Sequence, residues 1–251
     1  MSRRFFLFFI SITFLLSFNG CAENKVALKD KSLVHLRLGV SYFREGDTTS
    51  ALRELIEAEK LNPDDPQVYN VLGLIYFKKK DYEKAISYFN TALHVKPDFS
   101  EVRNNLGALY LELRKWDNAI FEFKRALSDD LYRTPERAYS NIGWAYYKKR
   151  DIGKAIDNYK KALDISPDFL LARYNLGISY LSINELDKAI HELKMVIKQN
   201  PDYFDAHYQL GLIYFNLKKR EEAKREFDKV ISTAPPGETR DSAQTYLDLL
   251  K

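Results

Sequence analysis

The side chains that most often carry chemistry are sparse in this sequence and form no recognisable active-site pattern. The four histidines lack the i, i+3 or i+4 spacing of a helical zinc site. They are His35, His94, His191 and His207. No nucleophile-elbow, phosphate-loop or dinucleotide-binding glycine pattern occurs. We also expect no carboxylate with a raised pKa inside an apolar stripe, so we predict no enzymatic activity, no cofactor and no bound metal.

The single cysteine, Cys21, follows a segment that is typical of a secretory signal. A basic start, "MSRR", precedes the 14-residue apolar run "FFLFFISITFLLSF", and Gly20 stands directly before the cysteine. At 1.5 Å per residue this run reaches about 21 Å, short of the roughly 30 Å hydrocarbon core of a bilayer. We therefore predict a signal peptide over residues 1–20 instead of a permanent transmembrane helix. A lone cysteine cannot form an internal disulfide.

The sequence around Cys21 resembles a bacterial lipobox, in which the cysteine is diacylated and becomes the mature N-terminus. Phe18 and Asn19 depart from the leucine and the small residue that the lipobox prefers. Ordinary cleavage after Ala22, which would release a soluble protein, therefore stays open as the alternative. Acyl chains such as palmitate would anchor the protein, since each buried CH₂ contributes about 0.8 kcal/mol. The resemblance to Gram-negative lipoproteins implies the periplasmic face of the outer membrane, with residues 21–31 as a tether.

The composition indicates an ordered chain that does not bind nucleic acid. Of the 251 residues 45% are hydrophobic, and they include 17 Tyr and 16 Phe. The net charge is +4, and Arg3 and Arg4 in the signal supply two of those charges. The remainder is too balanced for a phosphate-binding footprint, and we predict no small-molecule substrate.

After residue 30 the chain is periodic. Six glycines stand 34, 34, 36, 34 and 34 residues apart, at Gly39, Gly73, Gly107, Gly143, Gly177 and Gly211. Sixteen residues after each glycine comes a large apolar residue: Leu55, Phe89, Phe123, Tyr159, Leu193 or Phe227. Each repeat holds two apolar stripes at helical spacing, which predicts two antiparallel helices that approach closely at the small residues. No single pair can bury its apolar face alone, so the pairs must stack.

This pattern over residues 32–237 resembles the tetratricopeptide repeat family. The resemblance implies an all-α fold, a right-handed superhelix of six helix-turn-helix repeats whose first helix, helix A, lines the concave side. The repeats are predicted at residues 32–65, 66–99, 100–133, 136–169, 170–203 and 204–237. A C-terminal capping helix is predicted over residues 238–251, with its apolar side facing inward: Ala243, Tyr246, Leu247 and Leu250.

In this family the helix A positions around the repeat glycine commonly face the concave groove. Here they are mostly apolar or aromatic, and the asparagine and basic residues that clamp a carboxylate in chaperone-binding members are absent. We predict that the groove binds an amphipathic helix or an extended apolar segment of a protein partner. Packing between adjacent A helices is the alternative role. The predicted groove residues are Phe43, Leu74, Phe77, Asn104, Leu111, Trp144, Tyr147, Tyr174, Ile178 and Tyr208.

The 36-residue interval marks an irregular junction after the third repeat. Leu131 stands where the repeat proline is expected, and Pro135 comes late, after Thr134. We expect Thr134 to cap the next helix. We also expect the junction to divide the chain into two halves of three repeats with a changed angle between them.

The signal, Cys21, the six repeats and this junction together resemble the type IV pilus biogenesis and stability lipoproteins, also called secretin pilotins. The junction residues that carry the resemblance are Leu131, Tyr132, Pro135, Glu136, Tyr139, Asn141 and Gly143. The resemblance implies a non-catalytic lipoprotein that helps an outer-membrane secretin insert and multimerise. Two alternatives stay open: a general periplasmic adaptor that docks peptidoglycan-processing enzymes, and a soluble secreted repeat protein.

Overall fold

The structure is a computed structural model that describes residues 25–251. The predicted signal peptide and Cys21 lie outside the described residues. Within the described range the regular elements are thirteen helices, and the predicted all-α fold class is confirmed. They are α1 (25–45), α2 (Thr48–Leu61), α3 (Pro66–Lys78), α4 (Tyr82–Val95), α5 (Ser100–Glu112), α6 (Trp116–Ala126), α7 (Pro135–Lys148), α8 (Ile152–Ile165), α9 (Leu170–Ser182), α10 (Leu186–Gln199), α11 (Phe204–Asn216), α12 (Arg220–Thr233) and α13 (Glu238–Leu249).

Helix α1 begins at residue 25, the first residue that the structure describes. Residues 25–31, which the sequence assigns to the tether, are helical, because neither glycine nor proline interrupts this stretch. Among the helices of residues 25–251, none has both the length and the apolar character needed to cross a membrane.

Close helix crossings at the repeat glycines build the core of each pair. A Cβ atom added to Gly73 would lie 2.6 Å from the ring of Phe89, and one added to Gly211 would lie 2.6 Å from the ring of Phe227. Both phenylalanines are completely buried. The glycine is therefore required because the aromatic ring of the second helix occupies the space that a side chain would take.

Tight turns join the two helices of each pair. Lys80, two residues after the end of α3, lies in the left-handed region at φ 60°. The Lys80 N–H donates to the Phe77 carbonyl at 2.9 Å, and the Asp81 N–H donates to the Tyr76 carbonyl at 2.9 Å. The Asp81 side chain then accepts from the Lys84 N–H at the start of α4. Arg150 and Asp151 repeat this arrangement between α7 and α8.

The chain forms two compact units, one up to Leu109 and one from Tyr110 onward, so that the boundary falls inside α5. In the first unit α2 packs on α3, and α3 packs on α4. In the second unit each helix from α6 to α13 packs on the next. Helix α7 also contacts α9, and α11 contacts α13. The first helices α7 and α9 therefore lie side by side, and α11 lies beside the capping helix α13.

The predicted division of the chain at the irregular junction is wrong. The junction lies inside the second unit, where α6 packs directly on α7. The turn itself is well built, because the Leu131 N–H donates to the Asp129 carboxylate at 2.9 Å and the Tyr132 side chain is buried. The Leu131 side chain is left 87% exposed.

The predicted capping role of Thr134 is also wrong. Thr134 directly precedes α7, and Pro135 occupies the first helical position. The Thr134 side chain forms no capping hydrogen bond, and its hydroxyl instead donates to the Tyr132 hydroxyl at 3.0 Å. The junction therefore depends on the buried tyrosine for its order.

Helix α13 covers the last helix pair. Ala243 is completely buried, and Tyr246, Leu247 and Leu250 pack against the core of the second unit. The Tyr246 ring stacks on Phe227 at 5.2 Å between centroids. The apolar side of α13 thus faces inward, as the sequence predicts.

One buried side chain departs from its counterparts in the other repeats. Tyr159 stands where the other repeats hold phenylalanine or leucine, and it is completely buried. Its hydroxyl has no hydrogen-bond partner among residues 25–251. We expect Tyr159→Phe to raise the free energy of unfolding by about 1 kcal/mol, measured by urea denaturation, because it removes a buried polar group without a partner.

Tyr69 offers a matched control for this substitution. It is also buried, but its hydroxyl donates to the Pro63 carbonyl at 2.9 Å. Tyr69→Phe should therefore lower the free energy of unfolding by about 1 kcal/mol. A loss of stability in Tyr159→Phe as large as that in Tyr69→Phe would show that the Tyr159 hydroxyl does have a bonding partner.

Candidate protein-binding surface

The ten predicted groove residues share one property: each side chain is half-buried. The first unit holds Phe43, Leu74, Phe77 and Asn104. The second unit holds Leu111, Trp144, Tyr147, Tyr174, Ile178 and Tyr208. These side chains are thus packed on one side and accessible on the other, as a binding surface requires.

In the first unit the candidates are held by local contacts. The Phe77 and Tyr82 rings lie 6.2 Å apart, and the Lys78 ammonium lies 5.4 Å from the Phe43 ring centre. The Asn104 Oδ1 atom is buried and has no hydrogen-bond partner among the described residues. This oxygen is inaccessible in the structure, so Asn104 is a weaker candidate than the aromatic residues.

In the second unit, α7 presents a flat aromatic platform. Trp144 and Tyr147 are three residues apart and therefore lie on the same helical face. Their rings stack at 5.8 Å between centroids, with an interplanar angle of 9°. The Lys148 ammonium lies 4.3 Å from the Trp144 ring centre, which is a favourable cation–π distance.

The aromatic surface continues onto α9 and α11. The Tyr174 ring lies 5.3 Å from the ring of Tyr203, which directly precedes α11. Burial raises the pKa of Tyr174, and the nearby Asp205, Tyr203 and Tyr147 raise it further, whereas a hydrogen bond with Gln209 opposes the shift. We call Trp144, Tyr147, Tyr174 and Tyr203 the aromatic face.

The other candidates of the second unit are Leu111, Ile178 and Tyr208. The Tyr208 ring is 6.2 Å from the buried Phe227 ring, so it packs into the α11–α12 pair. Ile178 lies on α9 one turn after Tyr174, and Leu111 lies on α5. The structure therefore brings Trp144, Tyr147 and Tyr174 onto one surface and gives Tyr208 a packing role.

Two residues of this surface, Tyr203 and Asp205, are absent from the groove predicted from the sequence. The expectation that no carboxylate with a raised pKa lies in an apolar stripe is wrong, because Asp205 is half-buried and its burial raises the pKa of its carboxyl group. The pattern did contain a signal. Asp205 lies three residues before Tyr208, on the same helical face, one turn beyond the positions that were considered.

The position four residues before the repeat glycine has a structural role instead. At this position in the last repeat, His207 contacts Glu226 at 2.6 Å and the Pro201 carbonyl at 3.0 Å. Arg173 makes the equivalent bonds in the preceding repeat, at 3.0 Å to Glu192 and 2.7 Å to the Pro167 carbonyl. Within residues 25–251, no three His, Cys, Asp or Glu side chains are grouped so that they could hold a metal ion.

Stacked helix pairs of this geometry define a helical repeat scaffold. Models of the tetratricopeptide repeat match residues 36–101, 76–131, 136–169, 179–218 and 204–236. The chain belongs to the tetratricopeptide repeat family, whose members are generally non-enzymatic scaffolds that bind protein partners. One match ends at residue 131 and the next begins at residue 136, so the two matches flank the junction.

Several solved structures are similar over most of the chain. PilW, described as a widely conserved type IV pilus biogenesis factor, is 26% identical with a TM-score of 0.77, and the match covers 85% of this chain and 98% of PilW. Pseudomonas aeruginosa pilF has a TM-score of 0.77 at 16% identity, over 88% of this chain and 99% of pilF, which shows the fold alone. YrrB, a TPR protein with an unusual peptide-binding site, has a TM-score of 0.60 at 21% identity, over 76% of this chain and 97% of YrrB. No curated protein matches significantly.

Proposed function

We propose that this protein is a non-catalytic, lipid-anchored scaffold that binds an outer-membrane secretin and assists its assembly in type IV pilus biogenesis. The observation that carries the proposal is the similarity to PilW, a type IV pilus biogenesis factor, with a TM-score of 0.77 over 98% of that chain. The junction residues of the pilotin resemblance support it, because Leu131 and Tyr132 form a defined turn in the structure.

The aromatic face is the surface that we propose for the partner. Large aromatic side chains dominate the binding energy of protein interfaces, since they bury much area at a small cost in side-chain entropy. Trp144 and Tyr147 stack at 5.8 Å and remain accessible on one side. A partner segment with an apolar side would cover this platform and remove it from water.

The anchor is the part of the proposal that rests on Cys21. We expect wild-type protein to incorporate an alkyne analogue of palmitate in growing bacteria and Cys21→Ala to lose this label completely. A protein released after Ala22 would carry no label in either form, and labelling of Cys21→Ala would remove the proposed attachment site. Sucrose-gradient fractionation of the wild type then tests the outer-membrane location.

The function itself is tested by deleting the gene and blotting for heat-stable secretin multimers. We expect the multimers to disappear from the outer-membrane fraction, and a plasmid-borne wild-type copy to restore them. Normal multimers in the deletion strain would end the secretin proposal. If the loss affects a peptidoglycan-processing enzyme and leaves the secretin unaffected, the general adaptor alternative is correct.

A further inference from the structure

One carboxylate of the second unit lacks a neutralising partner. Asp205, in the first turn of α11, is half-buried, and its carboxylate forms no hydrogen bond or ion pair within residues 25–251. Asp202, three residues earlier, is more exposed but is paired with the Lys229 ammonium at 2.9 Å. The two carboxylates therefore differ in their environment, although they are close in sequence.

Helices α9 and α11 offer Asp205 no unpaired side chain that can bear a positive charge. Helices α9 and α11 carry two other side chains that can bear a positive charge, Arg173 and His207. Arg173 is paired with Glu192 at 3.0 Å, and His207 contacts Glu226 at 2.6 Å. Both side chains are thus engaged with the second helix of their own pair.

The position of Asp205 in the first turn of α11 does not account for the raised pKa of its carboxyl group. An acid in the first turn of a helix is favoured by the helix dipole, which lowers the pKa of a carboxyl group. Burial instead raises the pKa of Asp205. The ionised carboxylate therefore destabilises the unbound protein, and an external cation would remove this cost.

Two aromatic rings lie beside this carboxylate. The rings of Tyr174 and Tyr203 are 5.3 Å apart, and the charge of Asp205 contributes to the raised pKa values of both tyrosines. A guanidinium group suits such a surface, because its edge forms two hydrogen bonds to a carboxylate while its flat face stacks on an aromatic ring. An ammonium group can form the ion pair but not this stacked, bidentate arrangement.

We propose that Asp205, flanked by Tyr174 and Tyr203, binds an arginine side chain of the partner segment that lies on the aromatic face. This inference rests on the proposed function and specifies that the partner segment carries a positive charge. Apolar residues of the segment pack on Trp144 and Tyr147, and its arginine reaches Asp205. Asp205 is the only carboxylate of the second unit in this row of positions, since α7 and α9 hold Arg137 and Leu171 there.

A pair of matched peptides tests the proposal with the purified full-length protein. The first is Ac-Ser-Leu-Phe-Arg-Leu-Ser-NH₂, and the second replaces arginine with citrulline, which has nearly the same shape but no charge. We expect the arginine peptide to bind about tenfold more tightly in NMR titrations, as a charged hydrogen bond implies. Equal affinity for the two peptides, or binding of neither, would overturn the proposal.

Variants of the protein test whether Asp205 causes the preference for the arginine peptide. Asp205→Asn should bind both peptides equally, and its thermal midpoint should equal or exceed that of the wild type, because the buried charge is removed. Asp202→Asn is the matched control and should keep the preference for arginine. An Asp205→Asn protein that melts earlier and still prefers arginine would show that the carboxylate is structural.

The secretin blot separates this inference from the proposed function. If deletion leaves the secretin multimers unchanged, the proposed function fails, and an arginine preference in the titrations would still support the site. If the multimers require the protein but form fully with Asp205→Asn, and the titrations show no preference, the arginine site alone is wrong.

Discussion

Phe227→Ala is expected to lower the free energy of unfolding by roughly 4 kcal/mol, the largest loss among the substitutions considered. Phe227 is completely buried between α11 and α12, and Tyr246 of α13 stacks on its ring at 5.2 Å. The substitution leaves a cavity and also removes the surface on which α13 packs. Urea denaturation followed by circular dichroism measures the loss. Phe121→Ala is the matched control, because the Phe121 side chain is 57% exposed and its replacement should change stability by at most about 0.5 kcal/mol.

The contact between Gly211 and the Phe227 ring predicts that substitutions at these two positions have strongly non-additive effects on stability. Gly211→Ala alone should destabilise by about 2 kcal/mol, since the added Cβ would lie 2.6 Å from the Phe227 ring. In the Phe227→Ala background the same methyl group enters the vacated space, and the helix gains about 1 kcal/mol in propensity. Gly211→Ala should therefore be neutral or stabilising in that background. Additive effects of the two substitutions would contradict the proposed ring-to-glycine contact.

Periodicity was sufficient to predict the pairs of helices because it records their packing directly. The glycine and the large apolar residue sixteen positions later, such as Gly211 and Phe227, are in contact in the structure. This contact is local and recurs at Gly39, Gly73, Gly143 and Gly177, so one sequence carries several independent examples of it. The tight turns at Lys80 and Arg150 follow from the same regular spacing.

The junction could not be predicted in the same way, because it occurs once. The two extra residues indicate a loop, but the order of that loop depends on the burial of Tyr132 and on its bond from Thr134. An N-cap rule applied to Thr134 considers only the helix that follows. Likewise, the two extra residues do not reveal that α6 packs directly on α7, which holds the two sides of the junction together in one unit.

The aromatic face was predicted in part, for a related reason. The positions predicted from the repeat pattern include Trp144, Tyr147 and Tyr174, because these residues lie at recurring positions of the first helix of a repeat. Tyr203 directly precedes α11 and so lies outside the first helices that carry the predicted positions, although its ring contacts that of Tyr174. The environment of Asp205 depends on Tyr174 and Tyr203, which both lie in the preceding repeat, so the pattern along α11 alone does not reveal it.

Joint replacement of Trp144 and Tyr147 by alanine is expected to weaken partner binding at least 100-fold. Each residue has the character of an interface hot spot, worth about 2 kcal/mol or more, and tenfold in affinity corresponds to about 1.4 kcal/mol. Their rings stack at 5.8 Å with a 9° angle, so removal of either ring also exposes the other to water. The measurement is the affinity of the purified protein for the periplasmic part of the secretin, determined by surface plasmon resonance.

Trp116→Ala is the matched control for this double variant. Trp116 is also a half-buried tryptophan of the second unit, but it lies at the start of α6, a second helix of a pair, and not among the residues of the aromatic face. We expect the control to bind the secretin as the wild type does, and all three proteins to keep the same helical circular dichroism. Because Trp144 and Tyr147 are half-buried, their loss should cost less stability than Phe227→Ala. Unchanged secretin binding in a folded double variant would assign the two rings to packing alone and move the partner to another surface.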